Sequence, residues 1–306
     1  MRETLDIVVP NDASERCTIV VTGANSGIGF GTTRRLFLAG HHVVMACRSV
    51  ERAERAAAVI RSENVGEGGG GSVEIARLDV ADPQSIRDFA SSWSFDRRLD
   101  VLVNNAGVMA LDRSVNSVGW EMQFGTNHLG HFALTGLLLP AFARSPAPRV
   151  VTVSSLGHRV GRLDLDDVMF ERRRYQRWGA YFQSKLANVM FARECDRRAK
   201  AGGHPLRSVG CHPGTASTEI GKTGTSLTNR VIRTLFPVLA RSAERGAASV
   251  EHACLTSVSG GEFFGPRWLM FGATRMETPS RRARDDEAAR RLWEWSEETT
   301  GVSFEW

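Results

Sequence analysis

Tyr181 and Lys185 stand four residues apart in Tyr181-Phe182-Gln183-Ser184-Lys185, a spacing that sets both side chains on one face of a helix. A phenol titrates near pH ~10, so it moves protons at neutral pH only where a neighbouring cation stabilises its phenolate. Lys185 is the cation this spacing offers. Upstream, Val150-Val151-Thr152-Val153 runs into Ser154-Ser155, a strand end whose hydroxyl can donate to a carbonyl oxygen and steady developing negative charge. Far earlier, Thr18-Ile19-Val20-Val21 leads into Thr22-Gly23-Ala24-Asn25-Ser26-Gly27-Ile28-Gly29. Gly23 permits a tight turn, Gly27 a close backbone approach and Gly29 the packing of helix on strand, so the following helix N-terminus faces an anion. One segment moves a proton and the other holds a phosphate. Together they point to redox chemistry beside a bound dinucleotide.

Such residues need a sheet to hold them. Apolar runs at Thr18–Thr22, His42–Cys47, Val73–Leu78, Val101–Asn104, Arg149–Ser154, Ser208–His212 and Arg267–Phe271 read as strands. Helical patterns fill the gaps at Phe30–Gly40, Glu51–Ser62, Ser85–Ser92, Trp120–Phe142, Ala180–Ala201, Ala243–Thr256 and Asp285–Thr299. Glu67-Gly68-Gly69-Gly70-Gly71 reads as a surface loop, because no helix begins after it. Strict alternation of the two patterns predicts a single-domain, Rossmann-type doubly wound parallel sheet of about seven strands, with helices on both faces. No internal repeat is present. The expected organisation is an N-terminal extension over 1–16 and one domain over 17–306, with a substrate lid at about 215–242.

At this point the chain resembles the short-chain dehydrogenase/reductase family, whose glycine motif is spaced T-G-x-x-x-G-x-G. Asp79-Val80, Asn104-Asn105-Ala106-Gly107, Asn127, Ser154-Ser155 and His212-Pro213-Gly214-Thr215 match that family in order, with Tyr181 and Lys185 between the last two. The resemblance runs from about Cys17 to Gly301. It implies a catalytic set of Asn127, Ser155, Tyr181 and Lys185. Ser155 is preferred over Ser154 by its alignment to Gly157, and Asn127 matches the residue that holds a water linking the lysine to solvent. By the same resemblance, Asp79 and the Val80 amide meet the adenine, Lys185 and Tyr181 reach the nicotinamide ribose, and Pro213, Gly214, Thr215 and Thr218 clamp the cofactor's far end. Asn25, Ser26 and Ile28 complete the phosphate turn. Asp79 also reads as an N-cap or turn former. The small residues of Asn105-Ala106-Gly107 let backbone close on the adenosine ribose, while Asn104 is expected to tie neighbouring strands.

The second strand ends Met45-Ala46-Cys47-Arg48-Ser49, without the acidic residue that binds a ribose 2′-hydroxyl. A guanidinium stands there instead, reinforced one turn on by Arg52, so NADP(H) is expected over NAD(H). The plainer alternative leaves Arg48 an exposed loop charge.

The 306 residues are 42% hydrophobic with net charge +5, enough apolar content for one buried sheet. No basic-aromatic module accompanies the charge, so no nucleic-acid partner is expected, and Arg172-Arg173-Arg174 and Arg281-Arg282 read as solvated surface. Cys17, Cys47, Cys195, Cys211 and Cys254 lack paired or ligand spacing. Residues 1–15 show no signal-peptide core, and no window is apolar enough to insert stably in a membrane. These features predict a cytoplasmic protein. His41, His42, His128, His131 and His158 have no matching carboxylate cluster, so no metal is expected.

The 26-residue gap from Ser155 to Tyr181, with the ending Ala289-Arg290-Arg291-Leu292-Trp293-Glu294, resembles the retinol-dehydrogenase-like and protochlorophyllide-reductase-like branch. Tyr175 lacks a lysine four residues on and is a poor rival acid. Leu227, Val231, Leu235 and Val238 recur at helical spacing and read as the apolar inner face of a lid, as a core helix, or as a membrane-surface helix. Met109, Leu111 and Trp178 are expected around the same pocket. The predicted function is an NADP(H)-dependent ketoreductase or alcohol dehydrogenase acting on a hydrophobic ketone or aldehyde, a polyketide-type ketone among them. Alternatives are a retinal or steroid-type carbonyl reductase, which the missing N-terminal membrane segment disfavours for retinoids, a double-bond reductase, and a non-catalytic NADP(H)-binding protein. A homo-oligomer through the helices carrying Asn127 and Tyr181 is implied by family habit.

Overall fold

A computed structural model describes residues 16–63, 70–93, 97–214, 236–268 and 272–306, the side chains of 236–242 excepted. Valine-rich runs form β1 (Thr18–Thr22), β2 (His42–Cys47), β3 (Ser72–Arg77), β4 (Val101–Asn104), β5 (Arg149–Val153), β6 (Arg207–Cys211) and β7 (Phe263–Pro266), all paired in parallel. A short β8 (Thr274–Met276) folds back antiparallel on β7. Among the described residues the sheet therefore has eight strands, ordered β3-β2-β1-β4-β5-β6-β7-β8, where about seven were expected. Its order reverses between β1 and β4, which opens a crevice at the carboxyl ends of those strands.

Successive strand residues feed opposite cores, as a sheet buried on both faces requires. Ile19, Val21, Val43 and Met45 pack beneath α1 (Gly27–Leu38) and α2 (Val50–Ser62). Val20, Val44 and Leu102 face α3 (Pro83–Ser92), α5 (Gly130–Leu137) and α6 (Arg177–Ala201). Helix α7 (Phe236–Leu255) lies along α1, where Arg35 bonds Glu251 at 2.6 Å. The chain is one Rossmann-like α/β domain.

Two expected elements differ. The predicted helix Trp120–Phe142 is broken into α4 (Met122–Phe124), a π turn (Gly125–Leu129), α5 and a 3-10 segment (Leu139–Arg144). Glu121 caps its start, accepting from the amides of Gln123 and Phe124, and Pro140 enters the last segment. The predicted strand Arg267–Phe271 is displaced to Phe263–Pro266, because Phe263 and Phe264 reach the core whereas Arg267 and Trp268 are exposed. Residues 269–271 lie outside the described residues, as do 64–69 of the glycine-rich loop.

The C-terminal helix α8 (Asp286–Thr300) and residues 301–306 pack over α5 and α6. Trp293 stacks on Phe191 at 5.7 Å and meets Phe132 at 4.9 Å and Phe304 at 4.5 Å. Helix α6 is consequently buried on nearly all sides from Ala180 to Cys195. Among the described residues, no helix is long and apolar enough to cross a membrane.

Candidate active site

The phosphate turn forms as its glycines require. Gly27 adopts φ +56, and a Cβ at Gly29 would sit 2.4 Å from the Gly23 carbonyl oxygen. Ser26, the N-cap of α1, makes no side-chain bond to the first turn, and no acidic residue stands there. The first-turn amides are left for an anion, the fit that a dinucleotide pyrophosphate needs. Gly23, Asn25, Ser26, Gly27, Ile28 and Gly29 all line one cleft.

The same cleft runs from Arg48, Arg52, Asp79 and Val80, past Asn105, Ala106 and Gly107, to Ser155, Tyr181, Lys185, Pro213 and Gly214. Every described cofactor-site residue named from sequence therefore meets in one place. Thr215, Thr218 and most of the expected lid at 215–242 lie outside the described residues. Met109 lines the cleft as expected, and Ala46, Leu78, Val108, Thr126, Val153 and Ser154, none of them assigned to the site from sequence, join it.

At the adenosine end, Arg48 is 70% exposed and its Nη1 stands 3.8 Å from Asp79 Oδ2. Asp79 also accepts from the Ala81 amide at 3.0 Å, the turn-forming role. Asp82, three residues on, caps α3. Thr22 organises the next wall: its Oγ1 accepts from the amides of Asn105 and Ala106 and donates to Val103 O. Asn105 Nδ2 donates to Thr22 O at 2.7 Å, so Asn105 ties the strand ends. That corrects the role expected of Asn104, whose Nδ2 turns away from the sheet to Thr135 of α5 at 3.1 Å. The alternation of side chains along β4 sends neighbours to opposite sides.

At the other end, the two serines after β5 divide their work. Ser154 Oγ donates to the Lys185 carbonyl at 2.7 Å, while Ser155 is hydrogen-bonded to Tyr181 and accepts from Gly157 N at 3.1 Å. Burial raises the Tyr181 pKa and the bond to Ser155 opposes it, so the phenol is neutral. Lys185 Nζ donates to Val153 O at 3.1 Å and lies 5.9 Å from the Tyr181 ring centroid. Burial pushes the lysine down to about 8.

Asn127 sits in the π turn, a local loosening often found at functional sites. Its amide bridges Val108 O and Ser184 Oγ, each at 2.9 Å, and its Oδ1 accepts from Val108 N. It stands behind Gly107, where a Cβ would come 3.0 Å from Asn127 Oδ1 and 3.6 Å from Lys185 Nζ. Tyr175 is engaged elsewhere: its hydroxyl donates to Glu121 Oε1 and accepts from Gln123 Nε2, both at 2.8 Å. Trp178 is 41% exposed, its ring edge-on to Tyr181.

Among the described residues, no group of three His, Cys, Asp or Glu side chains has the arrangement of a metal site. His42 does have a carboxylate neighbour, Glu74 at 3.3 Å, which sequence spacing did not reveal. Among the described residues, no cysteine forms a disulfide.

A family model described as short chain dehydrogenase matches residues 17–227. Retinol dehydrogenase 13 of Homo sapiens is 38% identical over 294 residues, 93% of this chain and 85% of that protein. Retinol dehydrogenase 12 of Homo sapiens is 38% identical over 288 residues, 94% and 87% of the two chains. The crystal structure of an uncharacterized protein from Mycobacterium paratuberculosis matches with a TM-score of 0.80 at 40% identity, covering 96% of this chain and 98% of that one.

Proposed function

The chain belongs to the short-chain dehydrogenase/reductase family, in its retinol-dehydrogenase-like branch, and is an oxidoreductase acting on CH–OH or C=O groups; from that premise we propose that it reduces a hydrophobic ketone or aldehyde with NADPH. The observation that carries this reading is the meeting of Ser155, Tyr181 and Lys185 in the cleft that the glycine turn opens. The family uses nicotinamide cofactors, which supply or accept a hydride when bound.

Tyr181 is the acid. Burial raises the pKa of its phenol, which stays in the protonated form that can give a proton to a carbonyl oxygen. Ser155 Oγ holds that oxygen and stabilises the charge growing on it. Lys185 adds positive charge in a low-dielectric pocket, which favours the phenolate left after transfer. Asn127, tied to Val108 and Ser184, keeps the wall behind Gly107 in place beside the lysine. Arg48 and Arg52 receive a 2′-phosphate, and Asp79 and Val80 the adenine. Thr215 and Thr218 are proposed at the nicotinamide end, with a lid at about 215–242. Cysteines that form no disulfide among the described residues are consistent with a reducing, cytoplasmic setting.

Purified protein tested with NADPH and NADH against hydrophobic ketones and aldehydes decides the reading. Oxidation of NADPH, lost in Tyr181→Phe while cofactor binding persists, is the expected result. Binding without turnover on the whole panel would leave a cofactor-binding protein. Retinal belongs on the panel because the curated relatives above are named retinol dehydrogenases. A polyketide-type ketone belongs there as a bulky apolar substrate.

A further inference from the structure

Just past β8, residues 277–280 touch both turns that flank the reactive end of the cleft. Glu277 is anchored by its own amide, which donates to Phe263 O at 2.7 Å. Its Oε2 lies 3.2 Å from His212 Nε2 and 3.2 Å from Arg159 Nη2, and its side chain is only 4% exposed. The other ring nitrogen, Nδ1, accepts from the Gly214 amide at 3.1 Å. That bond leaves Nε2 as the protonated nitrogen of a neutral ring, so the imidazole hands its proton to Glu277 and its lone pair to Gly214.

Ser280 does the corresponding work on the opposite wall. Its amide donates to His158 Nε2 at 3.3 Å, and His158 Nδ1 donates to Ser155 O at 2.7 Å. Phe263 separates the two imidazoles, 5.0 Å from His158 and 5.6 Å from His212 by ring centroids. Burial holds both rings neutral, lowering His212 against the opposing pull of Glu277 and taking His158 down to about 4. Strand β7 leaves room for the His212 ring, since a Cβ at Gly265 would come 2.1 Å from Nε2. Glu277 Oε1 is buried and has no partner among the described residues.

We propose that Glu277 is a positioning residue: acting through His212, it fixes the Pro213–Gly214 turn against the cofactor, while Ser280 fixes the Ser155 turn through His158. The 277–280 segment thereby sets the spacing between the wall that holds the substrate oxygen and the wall that holds the nicotinamide. This rests on the NADPH-dependent reading of the cleft.

The test is a double-mutant cycle on the full chain, with Glu277→Ala, His212→Asn and the pair, read by NADPH fluorescence titration and by kcat and KM. Glu277→Ala is expected to weaken NADPH about tenfold, the scale of one charge-assisted hydrogen bond. Glu277→Gln, which keeps an acceptor for Nε2–H, restores most of that binding. In the pair, Glu277→Ala adds little to His212→Asn, because its effect passes through that ring. Additive losses, or equal binding by all variants, overturn the proposal. If Glu277→Ala does not fold, Gly265→Ala presses a methyl against the same imidazole and must show the cofactor defect; wild-type affinity there overturns the proposal as well. Wild-type protein that leaves NADPH fluorescence unchanged overturns the functional reading itself, and this inference with it.

Discussion

Ser154 Oγ donates a 2.7 Å hydrogen bond to the carbonyl oxygen of Lys185, joining the end of β5 to the middle of α6. Both partners are buried, so the bond fixes the height of the helix that carries Tyr181 over the strand that ends at Ser155. Lys185 lies inside α6, so its carbonyl keeps the helix's own amide donor when the serine is removed. Ser154→Ala is therefore expected to cost about 0.5–1.5 kcal/mol of stability in urea melts with modest loss of kcat. Ser155→Ala should do the opposite, lowering kcat by about 10²-fold or more with a near-normal melt. Equal kinetic losses in both variants would contradict this division of labour.

Lys185 is expected to set the alkaline limit of activity, because burial pushes its ammonium down to about 8 while Tyr181 is shifted upward. Carbonyl reduction should fall about tenfold per pH unit above that value as the ammonium is lost. Stability moves the other way. The lysine's folded value lies below its ordinary 10.5, so between about 8 and 10.5 the unfolded chain binds more protons and this residue's contribution to folding rises with pH. A pH–rate profile of Lys185→Arg, whose charge persists, should lose the limb.

Cofactor choice is expected to sit with Arg48. Its guanidinium is mostly exposed and only 3.8 Å from Asp79, a weak surface pair that a 2′-phosphate can displace. Arg48→Ala should reduce NADPH affinity about tenfold and leave NADH affinity level, as measured by fluorescence titration. A parallel loss for both cofactors would return Arg48 to the status of a loop charge.

Trp293 closes the C-terminal cap. Its indole is 2% exposed and meets Phe132, Phe191 and Phe304. Trp293→Ala should destabilise the protein by about 3–5 kcal/mol in denaturant melts. Because α8 covers α5 and α6, crosslinks between those helices in two intact copies are not expected; finding them would show that the cap swings away.

The phosphate turn and the Tyr181–Lys185 spacing were legible because both are local: a turn needs its glycines, and i,i+4 neighbours share a helix face wherever that helix packs. Strands β1, β2 and β4 likewise begin and end where the apolar runs do. Legibility failed where a distant partner decided the outcome. Phe263 and Phe264 make the last parallel strand because they complete the core, although Arg267–Phe271 carries a comparable pattern. The helix expected over Trp120–Phe142 starts at Met122 because Glu121 captures amides of its first turn, and it passes into a 3-10 segment at Pro140. Gly130 then lets α5 pass close to Val80, where a Cβ would come 1.9 Å from the carbonyl oxygen.

Order and spacing along the chain determined which residue types can bind a dinucleotide and move a proton, since those demands are met within a turn or a few residues. Packing decided where each charge went. Lys185 bonds Val153 O, Asn105 rather than Asn104 joins the strands, and Glu277 meets His212 across 65 residues. Such pairings depend on which atoms the sheet brings within ~3 Å once water is gone, a distance that separation in sequence does not encode.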